Sequence, residues 1–229
     1  MFKIVFQLMI LIYIILIVYH IINLQKFNIN GFIIDIQKEN VEEIKENILR
    51  LNPILFYDSC SFDVNDSQLN YLQDIDNYKK NKSSYVFKNE ELFEKVIQQS
   101  KLFDTNILYE SHFHFPIKKT LTIIKGETSI PLKKCIHNHN IIGVLEGETV
   151  IYLFNPKHKE EIINKENNQI KKWGHKKTLQ KGQLLIIPPY WSFIQEIDNG
   201  VIQYHIDIDT YFTFIPNFLK EFYFGYVDK

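Results

Sequence analysis

The chain has 229 residues, of which 45% are hydrophobic and 14% aromatic, a composition that supports a folded domain and excludes extensive disorder. Its net charge is −1, from 26 basic and 27 acidic residues, so no basic excess is present to neutralise phosphates and no nucleic-acid partner is expected. Arg50 is the only arginine, whereas Ile, Asn and Lys are abundant, which is typical of an AT-rich coding genome such as those of some protists and large DNA viruses.

An apolar segment at residues 4–24 is the first predicted element, and no formally charged residue lies between Lys3 and Lys26. As a helix it would be about 31 Å long, close to the roughly 30 Å thickness of a bilayer's hydrocarbon core. A cleaved signal peptide is disfavoured because neither Ala nor Gly precedes Gly31. The sequence therefore predicts a single-pass signal anchor over residues 1–25 that contacts the lipid bilayer through residues 4–24. The charges on the two flanks are nearly balanced, so neither the orientation nor the identity of the membrane follows.

Residues 26–112 are predicted to form a linker and a helical part of the domain. A start at Asn40 that resembles a capping box, followed by apolar residues on one face, predicts a helix that ends before Asn52-Pro53. Two further helices are predicted, one from near Ser67 and one from near Asn89, with a polar stretch at residues 74–84 between them.

Residues 113–229 are predicted to be rich in β-structure, because short β-prone runs alternate with glycines at turn positions 126, 147, 182 and 200. Six strands are predicted, at residues 120–124, 141–145, 149–154, 183–187, 192–197 and 201–208. A polar surface loop with a short helix is predicted at residues 157–177, and a helix in the aromatic segment at residues 214–226. The pattern indicates a mainly β (α+β) fold, either a sandwich or a barrel.

Two cysteines, Cys60 and Cys135, lie far apart in the sequence, and neither belongs to a CxxC pair. This spacing excludes a disulfide framework and a cysteine-rich zinc site. Two buried thiols are the favoured interpretation. A single disulfide stays open as the alternative if the domain faces an oxidising compartment.

Three segments resemble the JmjC-type cupin-like family: IIKGETSIPL from Ile123, NIIGVLEGETVIYLFNP from Asn140 and KGQLLIIPPYW from Lys181. The resemblance covers roughly residues 30–215. It implies a cupin-like double-stranded β-helix barrel with helices packed outside. It also implies Fe(II)- and 2-oxoglutarate-dependent hydroxylation or demethylation, which requires two His and one carboxylate on one face of the metal.

The residues that this chemistry needs are replaced at the matching positions. The family's His-x-Asp pair falls within residues 133–136, at Lys-Lys-Cys-Ile, and its distal His falls at Phe193. The lysine that pairs with 2-oxoglutarate falls at Thr149. No catalytic residue, metal ligand or cofactor is therefore expected. The pocket-lining positions that the resemblance implies are Lys134, Ile136, Asn140, Thr149 and Phe193.

A rearranged metal site is the alternative, with ligands from His137, His139, His205 and Asp207. His137 and His139 alternate so as to share one strand face. However, Gly147 follows His139 too closely for the usual cupin metal motif, which places this pair nearer a strand entrance than the barrel centre. A further interpretation is that the lysines at 133 and 134 bind an anion in a degenerate pocket.

Two functions are therefore predicted. The first is a membrane-anchored, catalytically inactive cupin-like protein that acts as a binding or structural module with a protein partner. The alternative is an Fe(II)/2-oxoglutarate-type oxygenase, or another metal-dependent cupin enzyme, with nonstandard ligands.

Overall fold

The structure is a computed structural model that describes residues 2–24, 31–36, 41–57, 85–97, 114–163 and 165–224. The helices of eight or more residues in these ranges are α1 (Phe2–Leu24), α2 (Val41–Leu49), α3 (Glu90–Ile97) and α4 (Phe214–Phe224). The strands in these ranges are β1 (Ile34–Ile36), β2 (Ile54–Phe56), β3 (Tyr85–Asn89), β4 (His114–Lys125), β5 (Thr128–Lys134), β6 (His139–Phe154), β7 (His175–Gln180), β8 (Leu184–Ile187), β9 (Ser192–Ile197) and β10 (Val201–Thr210).

Strands β4 to β10 form two antiparallel layers that share the long strand β6. The first half of β6 pairs with β8 and β10, and its second half pairs with β7 and β9. One layer has the order β4-β10-β6-β8, and the other has the order β5-β9-β6-β7. Neighbouring strands of the chain thus lie mostly in opposite layers, which is the jelly-roll arrangement of cupins. The predicted β-rich, cupin-like double-stranded β-helix is confirmed.

The first layer extends beyond the barrel on both sides. Strand β2 pairs with β8 and in parallel with β1, while β3 pairs with β4 on the opposite edge. These additions lengthen only the first layer.

Glycines set the points at which the chain changes layer or reverses. All four predicted turn glycines, at 126, 147, 182 and 200, have positive φ. At Gly147, where β6 crosses between the layers, a Cβ atom would lie 2.5 Å from the carbonyl oxygen of Gly200. Both the left-handed conformation and this close approach require glycine.

The apolar core has three parts. The barrel interior holds a cluster that includes Cys135, Ile142, Leu153, Leu185, Trp191 and Phe193. The outer face of the first layer packs under α2 and α3, with Ile44, Phe93, Ile141, Tyr204 and Ile206. The outer face of the second layer is covered by short helical turns at residues 156–173, and Phe154, Ile162, Ile170 and Ile194 are buried there.

Most predicted elements are confirmed, with two differences in the barrel. The predicted strands at 141–145 and 149–154 are one continuous strand, β6, because strand pairing continues on both sides of Gly147. Strands β5 and β7 were not predicted, and β7 begins inside the segment expected to be a loop. The helix expected near Ser67 and the polar stretch at 74–84 lie outside the described residues.

Helix α1 covers the segment predicted to be the anchor, and most of its side chains are exposed. The hydroxyl of Tyr13, near its middle, donates to the carbonyl of Tyr211 at 3.1 Å, and the Tyr13 ring lies 6.0 Å from that of Phe212. A search of the described residues finds no helix with both the length and the apolar character needed to cross a membrane.

Candidate functional site

Three rows of side chains cross the barrel on the inner face of the first layer. Residues paired across neighbouring strands face the same side of a sheet, so the strand register defines each row. The rows are Lys88-Thr122-Gln203-Val144, then Thr120-His205-Ile142-Leu185, then Lys118-Asp207-Asn140-Ile187. In each row the residues on β4 and β10 are polar and the last residue is apolar, so the interior has a polar half and an apolar half.

A buried hydrogen-bond network joins the two layers in the polar half. The Gln195 amide donates to Thr149 Oγ1 at 3.0 Å and to Gln203 Oε1 at 2.5 Å. The Gln203 amide donates back to Gln195 Oε1 at 3.2 Å. Both glutamine side chains are fully buried. Because a buried polar network is stable only when its members are satisfied, these contacts fix the spacing of the layers at this point.

His205 ends this network as a neutral acceptor. Its Nε2 lies 2.9 Å from the Gln203 amide nitrogen, which can only donate, so the proton of the neutral ring is on Nδ1. Burial, and then the positive charges of Lys133 and Lys88, lower the pKa of His205 to about 3. His205 is therefore uncharged at physiological pH.

Three of the pocket positions implied by the resemblance lie in the interior. Phe193 packs in the apolar cluster of the barrel. Thr149 belongs to the glutamine network, and its hydroxyl donates to the carbonyl of Glu196 at 3.1 Å. Asn140 is buried, and its amide donates to the carboxylate of Asp207.

The other two positions lie towards the surface. Lys134 is exposed at the end of β5, and its Nζ lies 5.1 Å from the centre of the Tyr190 ring. Ile136 is half-buried in the loop after β5. Between them, Cys135 carries a free thiol that is buried, and burial raises its pKa to about 12.

The alternative metal ligands have different neighbours. His137 Nδ1 lies 3.0 Å from Asp209 Oδ2, and this carboxylate also accepts from the backbone of Asn138 at 3.0 Å and from Asn217 at 2.8 Å. Burial, and then the charge of His114, lower the pKa of His139 to about 3. Within the described residues, no three His, Cys, Asp or Glu side chains are placed to hold a metal ion. This part of the chain therefore does not fit the two-His, one-carboxylate centre that Fe(II) requires.

Several residues of the site were not predicted from the sequence, namely Lys88, Lys118, Gln195, Gln203 and Asp209. A signal for two of them was present, because β10 reads VIQYHIDIDT and places Gln, His, Asp and Asp at every second position. That period of two marks one face of a strand. The lysines on β3 and β4 had no such signal, since they are adjacent to the site only through strand pairing.

No protein-family model and no curated protein matches this chain. Similar solved structures include a cupin superfamily protein from Desulfitobacterium hafniense DCB-2, with 12% identity, a TM-score of 0.33, and coverage of 55% of this chain and 78% of that one. The Drosophila melanogaster CENP-C cupin domain has 13% identity, a TM-score of 0.29, and coverage of 39% and 59%. Drosophila CENP-C bound to CAL1 has 13% identity, a TM-score of 0.29, and coverage of 39% and 63%. The match spans less than two thirds of each CENP-C chain. The fold assignment rests on the strand order of the two layers.

Proposed function

We propose that this protein is a membrane-tethered binding module built on a noncatalytic, JmjC-related cupin barrel. The observation that supports this most directly is the packing of Phe193, which is 2% exposed and stands where the resemblance places the distal iron ligand. Its neighbours in the cluster include Cys135 and Trp191. A metal centre at this position would have to displace a packed aromatic ring, and the phenyl group offers no donor atom.

The polar side chains of the interior support the same proposal, because they bind one another. His205 and Asp207 interact with Gln203 and Asn140, respectively. Iron and its co-substrate would have to break these hydrogen bonds. Breaking a buried hydrogen bond costs the desolvation of the group left behind, about 1–3 kcal/mol for each one.

We place the bilayer contact at α1. Apolar side chains are exposed along its length, from Ile4 at 71% to Ile15 at 57%. The outer face of α4 adds Ile215, Phe218 and Leu219, which are also exposed. Since large contiguous apolar surfaces on a folded domain mark contacts with proteins or membranes, the two helices together favour a lipid-facing side.

Metal analysis tests the noncatalytic part. The full chain, extracted in mild detergent and incubated with Fe(II), Zn²⁺ or Mn²⁺, is expected to retain no stoichiometric metal and to convert no 2-oxoglutarate. The matched variants are His139→Ala and His205→Ala, with His158→Ala, a half-buried histidine outside the barrel interior, as the control. Metal that is retained by the wild type and the control, and lost in the two interior variants, would contradict the proposal.

Membrane fractionation tests the tether. The full chain is expected to stay with membranes after washing at high salt and alkaline pH. Leu11→Arg combined with Ile15→Arg should release it, because two charges replace apolar side chains that α1 exposes. Ile163→Arg, at an exposed position near the short helical turns, is the control. Release of the wild type by the wash, or retention of the double variant, would count against the tether.

A further inference from the structure

The long strand β6 starts and finishes at the same end of the barrel. Strand β8 ends opposite Asn140, near the start of β6, and β9 begins opposite Phe154, at its finish. Residues 188–191 alone join β8 to β9, so the start and the finish of β6 lie close together. Strand β10 ends there as well, because Ile208 pairs with His139. We call this end of the barrel the β10 end.

Helix α1 contacts the β10 end. Tyr13 donates to the carbonyl of Tyr211, the residue that follows β10. The chain that leaves α1 also joins the barrel here, because the carbonyl of Gly31 accepts from Asn155, the residue that follows β6, at 3.4 Å. The seven residues from Leu24 to Gly31 span at most about 25 Å. A bilayer in contact with α1 would therefore lie beside the β10 end.

A basic segment follows β6 at the same end. Residues 157–177 contain seven lysines and three glutamates, in a chain whose net charge is −1. Two of these lysines form ion pairs, Lys171 with Glu196 and Lys177 with Asp35. The other lysines of the segment form no ion pair with any residue that the structure describes. The segment thus presents positive charge that the barrel itself does not neutralise.

Two aromatic rings are interleaved with these lysines. Trp173 is 38% exposed, and its ring centre lies 5.3 Å from that of His158 and 5.5 Å from Nζ of Lys172. Nζ of Lys176 lies 5.9 Å from the centre of the Tyr152 ring. Both lysines are exposed, so their ammonium groups stay in solvent while their stems cover the rings.

Lys157 belongs to the same surface. Burial, and then the charges of Lys157 and His158, lower the pKa of His175, which places these three groups close together. His175 begins β7 directly after the turn that carries Trp173. Lys157 is exposed, like the other two lysines. The lysine–tryptophan patch consists of Lys157, Lys172, Trp173 and Lys176.

We propose that the lysine–tryptophan patch binds anionic phospholipid headgroups on the bilayer that α1 contacts. A lysine held near an anionic membrane surface strengthens binding about fivefold. Tryptophan and tyrosine are favoured at the membrane interface, and both Trp173 and Tyr211 are exposed at the β10 end. An acidic protein segment would match only the charge, whereas a lipid surface also matches the exposed rings and the position beside α1. The patch rests on the proposed function, because it names what the tethered module binds.

Fluorescence quenching tests this surface, since the chain has two tryptophans and Trp191 is fully buried. The full chain is reconstituted into vesicles of phosphatidylcholine alone or of phosphatidylcholine with phosphatidylserine, and acrylamide is added as an uncharged quencher. Trp173 should be shielded from acrylamide in the vesicles that contain phosphatidylserine. High salt should remove the shielding, because it screens exposed charges.

Lys157→Gln combined with Lys172→Gln should weaken the headgroup contact about 25-fold, since each lysine contributes about fivefold. The variant should therefore need more phosphatidylserine than the wild type to shield Trp173. The matched control combines Lys125→Gln with Lys181→Gln, which replaces two exposed lysines at the opposite end of the barrel and should leave the shielding unchanged.

Equal quenching of the wild type in the two kinds of vesicle overturns the headgroup surface, as does full shielding in the Lys157 and Lys172 double variant. Shielding of Trp173 by added polyglutamate, but not by phosphatidylserine, would overturn it in favour of an acidic protein partner. In each of these cases, a chain that still floats with the vesicles leaves the tether intact. A chain that floats with neither kind of vesicle overturns the tether itself.

Discussion

Acid should destabilise this fold from about neutral pH downwards, because two of its histidines are buried in the uncharged form. Burial lowers the pKa of His139 and of His205 to about 3, from an ordinary value of 6.5. Between these two pH values the unfolded chain binds protons that the folded chain does not bind. The free energy of unfolding must therefore fall as the pH drops through 6.5, and it continues to fall until the folded histidines titrate near pH 3.

The size of the effect follows from the shift. Each group contributes about 1.4 kcal/mol for every pH unit inside the window, which gives about 2 kcal/mol per histidine between pH 7 and pH 5. His139 is 6% exposed and should contribute in full, whereas His205 keeps more solvent contact and contributes less. The expected total is about 2–4 kcal/mol. For a domain of this size that corresponds to a fall in Tm of about 5–15 °C.

Thermal unfolding of the detergent-extracted chain at pH 7, 6 and 5, followed by tryptophan fluorescence, measures this effect, because Trp191 is fully buried. His139→Gln and His205→Gln remove the titrating ring and should each flatten the dependence on pH. His158→Gln, outside the barrel interior, should leave it unchanged. Equal Tm values at pH 7 and pH 5 would refute the reasoning, as would full acid sensitivity in the two interior variants.

Three further predictions concern the scaffold. Gly147→Ala should lower the free energy of unfolding by at least about 2 kcal/mol, measured from Tm, because φ is +81° and the new Cβ would lie 2.5 Å from the Gly200 oxygen. In a Cys60→Ser variant, Cys135 should react with maleimide only after unfolding, since it is buried and its pKa is raised to about 12. Rapid labelling of the native protein would contradict this. Asp209→Ala should lower the free energy of unfolding by about 3–5 kcal/mol and speed hydrogen exchange in α4, because the buried carboxylate pairs with His137 and accepts from Asn217; unchanged exchange there would argue against the contact.

The barrel strands were predictable where both faces are buried, as in β8 and β9, because such strands are short apolar runs. Glycines at 147 and 200 divide such runs, and their positive φ values agree with that role. Strands β5 and β7 were not predicted because they are edge strands of the second layer. β5 contains Pro131, and the one residue of β7 that is fully buried is Leu179. A strand with one neighbour needs little apolar surface, so its sequence resembles that of a loop.

The site was less predictable than the fold, because its groups come together through pairing between distant strands. Gln195 and Gln203 are eight residues apart, yet they lie in different layers and meet across the interior. Lys88 reaches the site only because β3 adds to β4 in the register that places it opposite Thr122. Periodicity within one strand contains no information about that register, which depends on the packing of both faces.

The packing of the barrel interior favours a binding module over a metal-dependent enzyme. A metal-dependent cupin needs an open polar centre, whereas here Phe193 fills the apolar half and the glutamine network occupies much of the polar half. Rebuilding a ligand set would require new donors and also the removal of a packed ring. A binding module that keeps this interior packed requires neither change. A binding function is therefore compatible with the present packing of the barrel, whereas a metal-dependent reaction would require that packing to change.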